Sequence, residues 1–276
     1  IETDEDNNVY INCLNSKFKI KGDSAKEYPQ IPDVNEDKLY SIPQDVLKSM
    51  IKQTVFATSQ DQTKPILMGE LLEIENGNIN LVAIDGYRFA VRSCQVDNLI
   101  HEDLKAKIII PGKTLIDVNS LLSSEEEVKV GFNEKNAIFI INDTKIVTRL
   151  LEGEFIDYKK LCPREYNSKI KLKTKDLLNS IERASLLSQS EQNNLIKLSI
   201  RDSMMAITSN NEKGNVYEEV ALSLEGDYLD IAFNSRYLLE GLKNIDCEEI
   251  YIEFTTNVNP CIIKPADGTK YTYLLL

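Results

Sequence analysis

The stretch Leu81–Ser93, LVAIDGYRFAVRS, carries the clearest structural signal in the chain. An apolar run stops at Asp85-Gly86, and a second strand-like run follows at once. An Asp-Gly pair between two apolar runs is the strongest short-range signal for a tight β-hairpin. The stretch therefore predicts two antiparallel strands, with an aromatic ring at Tyr87 and a guanidinium at Arg88 directly after the turn.

The composition is that of a globular protein. The chain has 276 residues, of which 42% are hydrophobic and 28% charged, enough for two ordinary domains. No apolar run approaches the roughly 18 residues of a membrane span, so we expect no membrane partner. The five cysteines are widely spaced without a CxxC motif, and the first residues, IETDEDNN, do not resemble a signal peptide. Reduced thiols and a cytoplasmic location are expected.

Two parts of the sequence repeat along the chain. Segment 47–60 matches 177–190, and segment 108–122 matches 231–245, at offsets of about 125 residues. Apolar residues at helical spacing predict helices over 43–58, 112–122, 173–188 and 234–245, and alternating segments between them predict antiparallel strands. The repeat predicts an α+β fold, with two helices against antiparallel sheets in each unit. The chain then holds two whole units, preceded by the tail of another.

The residues offer little support for an enzyme. The only histidine, His101, lies in a polar loop, and neither a Gly-rich phosphate loop nor zinc-ligand spacing is present. We therefore predict no cofactor and no catalytic residue. The alternative is a metal-dependent hydrolase with carboxylate ligands such as Asp85 and Asp157, which a chelator would inactivate.

The predicted helices are the basic part of an acidic protein. They hold eight basic and five acidic residues, whereas the whole chain has a formal net charge of −12. Either these are ordinary solvated helix faces, or they present point charges to nucleic-acid phosphates without sequence preference. The candidate DNA-facing residues are Lys48, Lys52, Lys64, Lys113, Lys175, Arg183 and Arg236. We expect the first and third helices to present their cations to one common concave side.

Five motifs occur in order: FATSQDQTKPILMG (56–69), DGYRFA (85–90), EGEFIDYKKLCP (152–163), FNSRYLLEGLK (233–243) and YTYLLL (271–276). Together they resemble the bacterial sliding clamp, the β subunit of the replicative DNA polymerase, over about residues 28–276. The resemblance implies the DNA clamp fold. It assigns 1–36 to a C-terminal remnant of the first clamp domain, 37–163 to the second (central) domain and 164–276 to the third (C-terminal) domain.

The resemblance also implies a function without chemistry. Sliding clamps are homodimeric rings that encircle double-stranded DNA and act as processivity factors. They tether the replicative polymerase, clamp loader subunits and repair polymerases. Because most of a first domain is missing from 1–36, we expect the chain as given to be a monomer or an irregular dimer.

The resemblance further implies a pocket that binds a short peptide with a Gln and large apolar residues. The matching positions are Leu67, Ile84, Gly86, Tyr87, Arg88, Phe89, Ile156, Lys160, Leu161, Tyr237, Val258, Pro260 and Leu276. Family members usually have Leu at the position of Phe89 and Pro at that of Ile156, and they continue beyond Leu276. We expect Arg88 to lie near Tyr237 and to help fix the peptide's polar groups.

Overall fold

The structure is a computed structural model. It describes residues 1–28, 39–96, 105–123, 126–163, 165–188, 194–212 and 214–276. These residues belong to two compact units, Ile1–Asp33 and Val34–Leu276. His101 and the predicted domain boundary at 36/37 lie outside the described residues. No helix in the described ranges is long and apolar enough to cross a membrane.

The first unit is a small antiparallel sheet. Its strands are β1 (Glu2–Thr3), β2 (Asn8–Cys13) and β3 (Ser16–Lys21), in that order. Asp4 fixes the turn before β2, because its carboxylate accepts hydrogen bonds from the backbone and side chain of Asn8. These hydrogen bonds lower the pKa of Asp4 to about 2.

The second unit contains all the α-helices of the described residues. These helices are α1 (Gln44–Thr54), α2 (Gly112–Leu121), α3 (Thr174–Ser188) and α4 (Ser235–Lys243). Its strands are β4 (Tyr40–Pro43), β5 (Gly69–Glu75), β6 (Asn78–Ile84), β7 (Arg88–Gln95), β8 (Lys105–Pro111), β9 (Glu127–Phe132), β10 (Asn136–Ile141), β11 (Thr144–Arg149), β12 (Ser168–Lys173), β13 (Leu195–Arg201), β14 (Met204–Asn211), β15 (Gly214–Ala221), β16 (Ser223–Gly226), β17 (Leu229–Asn234), β18 (Glu249–Phe254), β19 (Cys261–Pro265) and β20 (Tyr271–Leu275).

The order of these elements repeats. From β4, the chain runs strand, α1, four strands, α2, three strands; from β12 it runs strand, α3, five strands, α4, three strands. Among the described residues, which omit 97–104, the short strand β16 is the one addition in the second half. The predicted α+β fold and internal repeat are therefore confirmed. The predicted helix 43–58 is shorter than expected, because α1 ends at Thr54 and a 3₁₀ turn, Val55–Ala57, follows.

A nine-stranded sheet joins the two halves of the second unit. Its strand order is β16-β12-β18-β19-β20-β7-β6-β5-β8. The joint is the antiparallel pairing of β20 with β7, in which Leu274 lies opposite Phe89. Two four-stranded sheets, β11-β10-β9-β4 and β15-β14-β13-β17, complete the halves. One hydrogen-bonded surface therefore runs through both repeats.

The nine-stranded sheet is buried differently on its two faces. Alternate residues of a strand point to opposite faces, so neighbours such as Leu71 and Leu72 belong to separate cores. Leu72 packs with Met50 and Ile51 of α1 on what we call the helix face. Leu71 belongs to a smaller core on the other side, the outward face, together with Phe89 and other buried residues.

The Asp85-Gly86 hairpin forms as predicted, with one difference. Gly86 adopts φ +101°, a conformation that favours glycine, and Asp85 Oδ1 accepts hydrogen bonds from the backbone N–H groups of Tyr87 and Arg88. Tyr87 is therefore part of the turn. The second strand, β7, begins at Arg88 rather than at Tyr87.

Candidate functional site

An apolar depression opens on the outward face, where the two halves of the second unit meet. It encloses about 580 Å³ of space, including its open mouth. Its walls come from the β6–β7 hairpin, the segment between β11 and β12, and the end of the chain. The lining residues are Ile84, Gly86, Arg88, Phe89, Ile156, Leu161, Pro260, Leu274 and Leu276.

The floor of the depression is fixed by the strand pairing that joins the repeats. Phe89 and Leu274 are opposite each other in β7 and β20, and both are buried. The pairing continues past β20, since the N–H of Leu276 donates to the carbonyl of Tyr87 at 2.9 Å. Because β20 is held along its whole length, the last residue of the chain becomes part of the wall.

The rim of the depression is apolar and exposed. Ile156 and Leu161 are each 42% exposed, and Leu276 is 57% exposed. Between the first two lies Tyr158, which is buried and donates a 2.7 Å hydrogen bond to Glu73 on β5. Burial and the neighbouring carboxylate raise the pKa of Tyr158. Tyr158 thus anchors the segment that presents two apolar side chains to solvent.

Arg88 connects the depression to the helix face. Its guanidinium donates to Asp85 at 2.9 Å, to Glu240 on α4, and to the carbonyl of Phe56 at 2.9 Å. Burial lowers the pKa of Arg88, but its interactions with Tyr273, Glu240 and Asp85, including the hydrogen bond to Glu240, outweigh that effect and raise the pKa. A guanidinium with these partners is held in place, so it fixes the hairpin against α4.

Two tyrosines form a platform beside the depression. The rings of Tyr87 and Tyr237 stack with centroids 5.9 Å apart, and the guanidinium of Arg88 lies 4.5 Å from the Tyr237 centroid. Asn234 positions Tyr237, because its side chain caps α4 by accepting from the Arg236 and Tyr237 N–H groups. The expected proximity of Arg88 and Tyr237 is confirmed.

Eight of the thirteen positions named from the sequence line this depression. Of the others, Leu67 is buried in the core beneath it, Tyr87 and Tyr237 form the platform, Lys160 pairs with Asp157, and Val258 is 84% exposed. Leu274 also lines the depression, although it is not among the positions predicted from the sequence. The alternation of strands could have found it, since Leu274 is two residues from Leu276 and shares its face.

The predicted DNA-facing cations fall into two groups. Lys52 pairs with Asp246 at 2.9 Å, Arg183 with Glu218 at 2.5 Å and Arg236 with Glu240 at 2.9 Å. In addition, Lys48 donates to the carbonyl of Leu122 at 2.7 Å. By contrast, three exposed cations form no ion pair with any described residue, and these are Lys64, Lys113 and Lys175.

The four helices adjoin one another through these contacts. The Lys52–Asp246 ion pair links α1 to the residues just after α4, and Lys243 on α4 pairs with Glu182 on α3 at 2.8 Å. The hydrogen bond from Lys48 links α1 to the end of α2. The helices therefore follow the order α2-α1-α4-α3. The predicted concave arrangement of their cations remains a prediction.

The metal-hydrolase alternative finds no support. Asp85 is engaged by Arg88, and Asp157 pairs with Lys160 at 2.9 Å. In the part of the chain that the structure describes, no group of three or more His, Cys, Asp or Glu side chains is arranged to hold a metal ion.

Comparison with known proteins gives a consistent result. The family model of the DNA polymerase III beta subunit matches with its central domain over residues 41–157 and with its C-terminal domain over 159–276. The beta sliding clamp of Staphylococcus epidermidis is 36% identical over all of this chain and 73% of its own length. Solved structures of the Bacillus subtilis sliding clamp and the Streptococcus pyogenes beta subunit superpose with TM-scores of 0.95 and 0.92, at 33% and 29% identity. They cover 100% and 99% of this chain, and 73% and 74% of their own chains.

Proposed function

The chain belongs to the bacterial sliding clamp family, the beta subunit of DNA polymerase III, and we propose that the two faces of its nine-stranded sheet bind different partners. As a member of this family it is a DNA sliding clamp, a non-catalytic subunit that works with DNA and a polymerase. In our proposal the outward face binds a peptide segment of the polymerase and other client proteins, and the helix face lies against duplex DNA.

One observation carries the peptide proposal: an exposed apolar rim surrounds a buried apolar floor. The rim residues Ile156, Leu161 and Leu276 are exposed and belong to none of the hydrophobic cores of the described residues. A segment with large apolar side chains would bury them, which is favourable by about 25 cal/mol per Å². The adjacent Tyr87–Tyr237 platform offers ring faces and edges to the rest of the segment.

Arg88 has a positioning role in this proposal. Its guanidinium is occupied by Asp85, Glu240 and the Phe56 carbonyl, and so it is poorly placed to exchange them for a peptide group. It instead holds the hairpin that supplies Ile84 and Phe89 to the depression. This differs from the expectation that Arg88 itself fixes the peptide's polar groups.

The helix face suits loose binding to DNA. Lys113 and Lys175, which form no ion pair with any described residue, can contact phosphates directly, whereas Lys52 and Arg183 must exchange an internal carboxylate for a phosphate. Contacts of this kind carry no sequence information, and each replaced ion pair reduces the net gain. Weak, sequence-independent binding is what permits a clamp to slide.

Strand edges support a proposal for assembly. In the repeat, β15 is the counterpart of β7, and β7 pairs with β20. Within the described residues, β15 ends its sheet without a further strand. We propose that this edge pairs with another subunit in the homodimeric ring of the intact protein. The assignment of 1–36, 37–163 and 164–276 to first, central and C-terminal clamp domains belongs to the same proposal.

The proposed clients are the replicative polymerase, clamp loader subunits and repair polymerases, acting in the cytoplasm. The peptide proposal is tested by a fluorescence anisotropy titration with a labelled peptide that carries a Gln and two large apolar residues. Tyr237→Ala and Leu161→Ala should each weaken binding by more than about 1 kcal/mol, the level that marks a residue important to an interface. Leu186→Ala, a change at an exposed leucine of α3, is the control. Equal affinities for the three variants and the unmodified chain would reject the proposed pocket.

A further inference from the structure

We infer that the peptide site continues beyond the apolar depression as a basic trough, and that the trough binds acidic side chains flanking the apolar segment of a partner. The trough is the part of the outward face formed by Val91, Ser93, Lys264, Lys270 and Thr272. This inference rests on the proposed peptide function and adds a specificity element to it.

The trough and the depression share strands and a face. Phe89 in the floor of the depression is followed, two residues later on the same face of β7, by Val91. Leu274 in the same floor is preceded by Thr272 on β20, and Val91 lies opposite Thr272 as Phe89 lies opposite Leu274. The trough therefore begins two residues along each strand from the floor of the depression.

A third hollow connects the same region to β19. Its lining includes Ile262 and Lys264, and Lys264 also lines the trough. Ile262 lies opposite Leu274 and is buried in the same outward-face core. Along β19 and β20 the outward face therefore changes from apolar at Ile262 and Leu274 to polar at Lys264 and Thr272, only two residues away.

The lining of the trough carries two lysines and no acid. Lys264 and Lys270 are the only charged side chains among its lining residues, and Ser93 and Thr272 add hydroxyl groups. Lys264 donates to Glu253 at 2.6 Å, which leaves two of its three N–H groups for another acceptor. Lys270 is exposed and forms no ion pair with any residue that the structure describes.

Two of the acids near the trough, Glu253 and Asp267, accept hydrogen bonds from neighbouring residues. Glu253 is held by Lys264 and lies 3.8 Å from the ammonium of Lys169. Asp267 accepts a hydrogen bond from the N–H of Thr269, and backbone and side-chain hydrogen bonds from this residue lower the pKa of Asp267. In a chain of net charge −12, the two lysines of this lining attract an anionic side chain locally, whereas the acidic surface elsewhere repels it.

Strand geometry sets the position of the acidic residues. Lys270 precedes Leu274 by four residues, which corresponds to about 13 Å at roughly 3.3 Å per residue. An extended peptide that leaves the depression along β20 would therefore reach the trough with a side chain three or four residues from its last buried apolar residue.

The test uses three versions of one fluorescein-labelled peptide with a Gln and two large apolar residues. Two carry a Glu pair three and four residues beyond one or the other end of the apolar segment, and the reference carries Gln at both places. We expect one acidic version to bind about two- to five-fold more tightly than the reference, the gain that exposed ion pairs give. Lys270→Glu should abolish this gain and leave the affinity for the reference peptide unchanged, which also shows that the variant is folded.

Lys129→Glu, on β9 of a different sheet, changes the net charge by the same amount and should retain the gain. The inference is overturned if neither acidic version binds more tightly than the reference, or if the gain survives in Lys270→Glu. A reference peptide that does not bind at all would instead contradict the proposed pocket, and with it the trough.

Discussion

The two faces of the nine-stranded sheet differ in whether the side chains proposed to bind ligands already have partners within the protein. On the helix face, Arg236 already has an internal partner in Glu240, and Lys52 has one in Asp246. On the outward face, the exposed side chains of Ile156, Leu161 and Leu276 surround an open apolar depression. A ligand of the helix face must exchange existing ion pairs, whereas a ligand of the outward face covers apolar surface that the fold leaves uncovered.

This difference predicts different driving forces. Phosphate contacts depend on counterion release, so binding at the helix face should weaken steeply with salt. Burial of apolar surface does not depend on screening, so binding in the depression should change little over the same range. The same chain can thus bind a client protein tightly in the depression and bind DNA weakly at the helix face.

The largest expected effect compares two arginines that share Glu240. Arg88→Met removes a buried partner and leaves Asp85 and Glu240 without it, which should lower the free energy of unfolding by about 3 kcal/mol. Arg236→Met removes an exposed partner from the same carboxylate and should cost less than about 0.5 kcal/mol. Urea denaturation measures both. Similar losses for the two variants would show that Arg88 does not fix the hairpin.

The next effect concerns a buried acid on the helix face. Glu70 is fully buried, and desolvation raises its pKa to about 8. Its Oε2 lies 2.5 Å from the hydroxyl of Thr54, which also lies 2.9 Å from the carbonyl of Met50. One hydroxyl hydrogen cannot serve both oxygens, whereas a protonated Glu70 can donate to Thr54. The native state therefore holds a proton that the unfolded chain, with an ordinary pKa near 4.5, releases.

Because the folded pKa is the higher one, this contribution to stability is complete below pH 4.5 and is lost as the pH rises through 8. From pH 6 to pH 8 the unfolding free energy should fall by about 2 kcal/mol, since one pKa unit corresponds to about 1.4 kcal/mol. Glu70→Gln should remove this slope, and Glu75→Gln, an exposed change on the same strand, should retain it. Chemical denaturation at several pH values decides the matter. An unchanged slope in Glu70→Gln would assign the pH dependence to other groups.

Local patterns in the sequence predicted the elements well. Apolar spacing located α1 to α4, the Asp85-Gly86 pair located the hairpin, and the family motifs located most of the depression. These features depend on neighbours in the sequence or on motifs that can be compared directly. Leu274 was missed although simple strand alternation from Leu276 would have included it.

The partners of the charged residues could not be predicted. Arg88 contacts Glu240, which is 152 residues away in the sequence. Arg183 on α3 contacts Glu218 on β15, which is 35 residues away. A count of helix charges treats Lys52 and Lys175 as equal, but tertiary contacts neutralise the first and leave the second exposed. Contacts between residues distant in the sequence therefore decide which cations remain available to bind phosphate. Such contacts cannot be predicted from local sequence patterns.

The smallest expected effect tests the two groups of cations. Lys175→Ala should reduce the slope of log K against log salt for short duplex DNA by about one unit if Lys175 contacts one phosphate. Arg183→Ala should reduce it by less, because phosphate binding there releases Glu218 as well. Fluorescence titrations of labelled duplex at several salt concentrations measure both slopes. A larger reduction for Arg183→Ala would show that internal pairing does not limit phosphate contacts.

The separation of the two binding surfaces is tested most directly by methyl NMR of the isotope-labelled chain with each ligand in turn. We predict that a peptide with a Gln and large apolar residues shifts the methyl signals of Leu161, Leu274 and Leu276, and leaves those of Ile116 and Leu186 unchanged. The latter two are exposed on α2 and α3. Short duplex DNA should produce the reverse pattern. Peptide-induced shifts at Ile116 and Leu186, with none around the depression, would contradict the account.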